Sequence, residues 1–91
     1  MKHRVVVTGF GLVTPLGIGV EQNWQAILKG VSGVSYISLF DASKFSTRIA
    51  AEVKDFDPAD YVDKKDIKKM DRFAHFAVAG AEMAMSLSGL K

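Results

Sequence analysis

The segment RVVVTGFGLVTPLG, residues 4–17, sets the architecture expected of this chain. Val5, Val6 and Val7 are β-branched and carry no polar alternation. Such a run predicts a strand buried on both faces, in the middle of a parallel or mixed sheet. Thr8-Gly9-Phe10-Gly11 then closes the strand with two glycines flanking an aromatic. Gly9, Gly11 or both are expected to hold φ > 0 or to pass too near a neighbour to admit a Cβ atom. Pro15 fixes its own φ and keeps Thr14 extended, so Thr14-Pro15-Leu16-Gly17 forms a second punctuated turn. A helix follows. Strand, glycine-marked loop and helix in that order open an α/β protein.

The same residues fail as a nucleotide loop. Gly9-x-Gly11 matches the first half of a dinucleotide fingerprint, but the third glycine falls at Thr14, where a side chain impedes the helix–strand approach. No Gly-Lys-Ser/Thr follows Gly17, so a phosphate loop is not formed either. A tight turn leaving a central strand accounts for the glycines better.

Composition narrows the class. Ninety-one residues, 48% hydrophobic and 24% charged, describe at most one small, ordinarily globular domain. No apolar run is long enough to span a bilayer. The apolar residues after Lys2 and Arg4 stop at Thr8-Gly9, too soon for a secretory signal, and a soluble cytoplasmic protein is expected. Cysteine is absent, which removes disulfides, thiolate metal sites and a thiolate nucleophile. His3 near the N-terminus and His75 within a predicted helix read as a surface and a packing histidine, since neither has a placed catalytic partner.

Further along, Val20, Trp24, Ile27 and Leu28 define one helical face, with Trp24 as its core anchor. Glu21 and Lys29 suit the helix dipole, and Gly30 suits the position after the last turn. Residues 30–38 read as a loop turning at Ser32-Gly33. Phe40-Asp41-Ala42-Ser43 reads as a capped turn. Residues 48–53 read as a strand with Ile49, Ala51 and Val53 on one side. Asp57-Pro58-Ala59-Asp60 signals a helix start, with Asp57 as N-cap and a short helical turn near Tyr61.

Residues 63–90 carry two features. Lys64, Lys65, Lys68, Lys69 and Arg72 fall within an arc of roughly 140° on a continuous helix. With Asp63, Asp66 and Asp71 they hold the whole formal excess of +2. A solvated face is the ordinary reading of such a segment, and no aromatic residues interleave to suit nucleic acid. Residues 70–87 are then apolar or small almost all round, with polar side chains on one stripe through Arg72, His75, Glu82 and Ser86. Such a helix needs cover on most sides, more than two strands and one amphipathic helix supply. The chain reads as a piece of something larger, and alone it is expected to be aggregated or molten.

The opening residues Val5, Val6, Val7, Thr8, Gly9, Gly11, Pro15 and Gly17 resemble the N-terminus of the β-ketoacyl-acyl-carrier-protein synthases. The bacterial type II condensing enzymes are the most similar. Trp24, Gly30, Ser32-Gly33, Phe40-Asp41, Lys54-Asp55-Phe56 and Lys69-Met70-Asp71 continue the match in order. It covers all 91 residues but only the opening portion of a family member. The resemblance implies an α/β chain forming the N-terminal part of a thiolase-like α/β/α/β/α layered fold. Residues 4–10 would be a central strand of its first sheet. Residues 1–91 would be an incomplete N-terminal portion of the synthase N-terminal domain, with no second domain.

The activity so implied is fatty-acid elongation by decarboxylative Claisen condensation, giving 3-oxoacyl-carrier-protein and carbon dioxide. The family's cysteine, two histidines and lysine lie in its later part, so no catalytic residue, metal or cofactor is expected here. Acyl carrier protein is the expected partner, and a homodimer the expected assembly. Lys65, Lys68 and Lys69 stand where the family has basic docking residues, and Lys64 and Arg72 share their predicted arc. A chain-length-factor-like partner lacking the nucleophile, a condensing domain of a larger polyketide synthase, and a stand-alone binding module remain as alternatives.

Overall fold

The computed structural model describes residues 2–90, in two compact units: 13–56, and 2–12 with 57–90.

In the unit Val13–Phe56, β1 (Val13–Thr14) and β2 (Gly17–Ile18) form an antiparallel hairpin, pairing Val13 with Ile18 and Thr14 with Gly17. Pro15 and Leu16 are its two-residue turn, in keeping with the punctuation expected there. Helix α1 (Val20–Leu28) follows. Its N-cap is Gly19, at φ 92°, a conformation costly for any other residue. Lacking a capping side chain, the helix start is tied by side chains of its own first turn. Asn23 Nδ2 donates to the carbonyls of Gly19 (2.8 Å) and Gly17 (3.0 Å), and Gln22 Oε1 accepts from Ile18 N (3.0 Å). Thr14 Oγ1 donates to Asn23 Oδ1 and accepts from Leu16 N. The helix ends as the sequence predicts. Gly30, at φ 68°, donates to Ile27 O and Val31 donates to Ala26 O, the paired bonds of a Schellman stop.

Trp24 is not a core anchor. It is 53% exposed, and Ile27 and Leu28 are exposed beside it, while Asn23 is the buried residue of α1. The polar clamp between hairpin and helix turns Asn23 inward, so the apolar stripe faces out.

Residues 30–38 contain a strand missed in the sequence. β3 (Val34–Tyr36) pairs antiparallel with β4 (Ile49–Ala51), setting Ser35 opposite Ala50. The inward face of β4 is the reverse of the predicted one: Ala50 is half-buried and Glu52 buried, while Ile49 and Ala51 are exposed. Because side chains alternate along a strand, turning Glu52 inward sets Ile49 and Ala51 outward, while Val53 beyond the strand is half-buried. The turn at Asp41 forms as read, with Asp41 Oδ1 accepting from Ser43 N. The Phe40 and Phe45 rings meet edge to face at 5.8 Å.

In the other unit, residues 5–7 do not form a strand, and Val5 is 94% exposed. β-propensity is realised only against a neighbouring ladder. Among the described residues the two sheets have two strands each, and neither includes this run. The glycines nevertheless do what was asked of them. A Cβ on Gly9 would collide with the Ala84 carbonyl oxygen and stand 2.7 Å from Ser88 N. One on Gly11 would collide with the Gly80 carbonyl oxygen and stand 2.8 Å from Met83 Cβ. The segment lies backbone to backbone on the small-residue face of α3 (Arg72–Ser88), whose Gly80, Ala84 and Ser88 repeat every four residues.

Asp57 caps a 3₁₀ turn, Pro58–Asp60, through a 2.9 Å bond from Ala59 N. The predicted continuous helix is broken in two. α2 (Lys64–Ile67) is one turn, and Asp71, extended at ψ 163°, resets the chain before α3. α3 ends at Gly89, at φ 74°. Its buried residues are His75 and Ala79, while Phe73 is 74% exposed. Most of the apolar circumference is therefore uncovered among the described residues.

Candidate functional site

The basic segment is built on a short scaffold. Val62 N reaches Pro58 O (2.9 Å), closing the 3₁₀ turn, and Asp63 then leaves helical geometry at ψ 138°. Asp66 N and Ile67 N both return to Asp63 O, at 2.9 and 3.2 Å. Lys69 N to Asp66 O and Met70 N to Ile67 O then continue as i→i+3 turns, at 3.0 and 3.3 Å. Lys64, Lys65, Lys68 and Lys69 thus ride on one tightly wound stretch, all exposed. Residues three and four apart on such a stretch project to the same side, which groups Lys65 with Lys68 and Lys69.

The arc expected on one continuous helix does not carry across to Arg72, because the helix is interrupted at Asp71. Arg72 opens α3 beyond that break, and its guanidinium lies over the Phe76 ring at 5.0 Å from the centroid. A cation held over an aromatic face is oriented by that ring, so Arg72 belongs to α3 rather than to the lysine run. Asp63, Asp66 and Lys69 line an open hollow together with Tyr61, Val62, Met70 and Val78. The surface is mixed in charge at this edge and positive along the lysines.

His75 holds the segment from behind. Its ring is buried in the first turn of α3, and Nε2 stands 3.1 Å from the carbonyl oxygen of Ile67, the last residue of α2. A carbonyl only accepts, so Nε2 carries the hydrogen. The sequence marked His75 as a packing histidine, and it packs, but its bond to α2 was not foreseen. His3 is exposed.

Two other polar side chains escaped sequence reasoning. Asn23 sits inside a helix, where Asn is a poor helix former. Glu52 directly follows β4, after two alanines. Its carboxylate accepts from Ser38 Oγ (2.8 Å), Ser38 N (3.1 Å) and Leu39 N (3.3 Å). The Ser38 hydroxyl is the main cause holding the Glu52 carboxyl below its ordinary pKa, against the opposing effect of burial. The Ser43 amide holds Asp41 lower in the same way, helped by the Ser43 hydroxyl. Each explains a loop rather than a reaction. No described helix is long and apolar enough to cross a membrane.

A chain with these turns and this basic run has known relatives. Residues 2–91 match the family described as beta-ketoacyl synthase, N-terminal domain, and the chain belongs to it. It is 56% identical over 90 residues to 3-oxoacyl-[acyl-carrier-protein] synthase 2 of Coxiella burnetii, strain RSA 493 / Nine Mile phase I. It is 50% identical over 90 residues to the synthase of the same name from Vibrio harveyi. Each alignment covers 99% of this chain and 22% of the relative, so the chain spans about a fifth of their length. Among solved structures, the ishigamide ketosynthase/chain length factor superposes with a TM-score of 0.85 at 37% identity, covering 94% of this chain and 21% of that one. The chain therefore has the α/β fold of the N-terminal part of a thiolase-like layered protein, as its motifs implied.

Proposed function

We propose that residues 1–91 are the opening portion of the N-terminal domain of a 3-oxoacyl-acyl-carrier-protein synthase. In this reading they supply scaffold and part of the surface that receives acyl- and malonyl-loaded carrier protein. The intact enzyme elongates fatty acids. An acyl group is carried as a thioester on a cysteine sulfur outside this chain. Malonyl-carrier-protein loses carbon dioxide, and the resulting carbanion attacks the acyl thioester. The carbon–sulfur bond to cysteine breaks, giving 3-oxoacyl-carrier-protein and free thiolate. No residue of this chain takes part in those bond changes. The working assembly is a homodimer in the cytoplasm, without membrane or nucleic-acid partners.

The observation that carries the docking assignment is the exposed, tightly wound lysine run from Lys64 to Lys69. Carrier proteins of this kind are acidic. A cluster of mobile cations steers such a partner and sets its register, acting more on association rate than on affinity. Each exposed pair contributes only about 0.2–1 kcal/mol. Reversing Lys65 and Lys69 together replaces attraction by repulsion. The expected loss in kcat/KM with carrier-protein substrates is about tenfold, ~1.4 kcal/mol. That loss shrinks as salt shortens the Debye length, and small pantetheine thioesters, which do not reach this surface, are spared. An equal loss on both substrate types would mean that the lysines act through folding. Arg72 is a weaker contributor, because Phe76 already orients it.

The likeness to a ketosynthase/chain length factor supports a second reading, in which the intact protein lacks the nucleophile and serves in a heterodimer. The residue at the nucleophile position of the full-length protein separates the two.

A further inference from the structure

We propose that His75 is a positioning residue: by donating from Nε2 to the Ile67 carbonyl it fixes the backbone between Lys65 and Lys68, and so sets the spacing in which the lysines meet an acidic partner. This rests on the docking reading above.

Three observations combine. First, α2 is four residues long, and a helix of that length does not hold itself together in water. Its own side chains do not cap it, since Asp63 makes no capping bond. Second, the acceptor of the His75 bond is the carbonyl that ends α2, one residue before Lys68. Helix ends leave such carbonyls short of partners, and a second donor beside Met70 N completes this one. Third, His75 is 7% exposed, so the bond is shielded from water and strengthened by its surroundings. Ala79, one turn further along α3, is fully buried and seats that same face of the helix. The lysine run is thus pinned at its midpoint from a rigid, 17-residue helix.

Removing the donor lets the turn fray while leaving α3 intact. The four lysines then sample many spacings, and ordering them falls on the binding step. Only a partner that touches several lysines at once senses the difference.

The test uses the full-length enzyme with His75→Leu, which keeps bulk but has no donor, and His75→Gln, which keeps a donor of similar reach. For His75→Leu the expected result is a rise in KM for carrier-protein substrate of about fivefold or more, kcat held, with pantetheine thioester kinetics unchanged. The Met70 amide, which shares the Ile67 carbonyl, should exchange faster. His75→Gln should recover most of both effects. Equal losses on both substrates, or a Gln variant no better than the Leu variant, would overturn the assignment and leave His75 a packing residue. Lys65→Glu/Lys69→Glu is measured alongside. If it weakens carrier-protein substrates selectively and His75→Leu does not, only the positioning role falls. If it shows no selectivity, the docking reading falls and takes this proposal with it.

Discussion

Gly9 and Gly11 show how a single missing atom is used twice. Neither needs a left-handed backbone; both are glycine because the Ala84 and Gly80 carbonyls occupy the space of a Cβ. Backbone atoms cannot swing aside as a long side chain can. Alanine at either position is therefore expected to destabilise the intact protein by about 1–3 kcal/mol, the range for overpacking. Denaturant titration checks this through the midpoint of unfolding. A shift within the range of an ordinary surface substitution, about 0.5 kcal/mol, would contradict it. These two glycines were legible because spacing and flanking residues give them away. Asn23, Glu52 and His75 were not, because a buried polar side chain is specified by its partners. Thr14, Ser38 and Ile67 lie 9, 14 and 8 positions away from them.

Among the elements, α1 and the Asp57 cap were readable from local chemistry, since caps and glycine stops act within a few residues. The run at residues 5–7 was misread for the opposite reason: a strand is a relation to neighbours, and the described residues offer this run none. The basic segment was misread because helix periodicity continues smoothly through Asp71, although the backbone does not. β4 was placed correctly but with Ile49 and Ala51 facing out, and the buried Glu52 that follows it yields a pH prediction. Its carboxyl is held below the ordinary value, so the unfolded chain takes up protons first as pH falls. The stability from the Ser38 and Leu39 bonds is complete at neutral pH and is lost as pH drops through and below the usual glutamate range, near ~4.3. Amide exchange at Ser38 and Leu39 should speed up over that window beyond the intrinsic chemical trend. Glu52→Gln should abolish the acid-induced change. An unaltered profile in the Gln variant would assign the effect to another group.

At the scale of the whole molecule, the distribution of apolar surface is the main fact. Among the described residues three apolar side chains are buried, Ala42, Phe56 and Ala79, while nineteen large ones are exposed. A core of that size leaves little hydrophobic stabilisation to offset chain entropy, roughly 1–2 kcal/mol per residue. The 91-residue polypeptide produced by itself is expected to be aggregated or molten, with dye-accessible apolar surface and weak near-ultraviolet dichroism. A sharp, cooperative melt from a monodisperse monomer would refute this and favour a stand-alone binding module. The exposed apolar surface of α3 was legible in the sequence, since a helix apolar nearly all round announces missing cover before any coordinate is known.

The seat of Gly9 and Gly11 on α3 also has a temporal side. On the ribosome Gly9 is made 75 residues ahead of Ala84, a delay on the order of several seconds at ordinary elongation speed. Beside the waiting glycines, Val5, Val6 and Val7 are a β-prone run that stays exposed even with α3 in place, the kind of segment that recruits neighbours into aggregates. Lys2 and Arg4 stand directly before it. Charges flanking an unavoidable apolar run act as gatekeepers during synthesis. Lys2 and Arg4 stand where such charges would sit, ahead of the run, while the seat for Gly9 and Gly11 on α3 is still unmade.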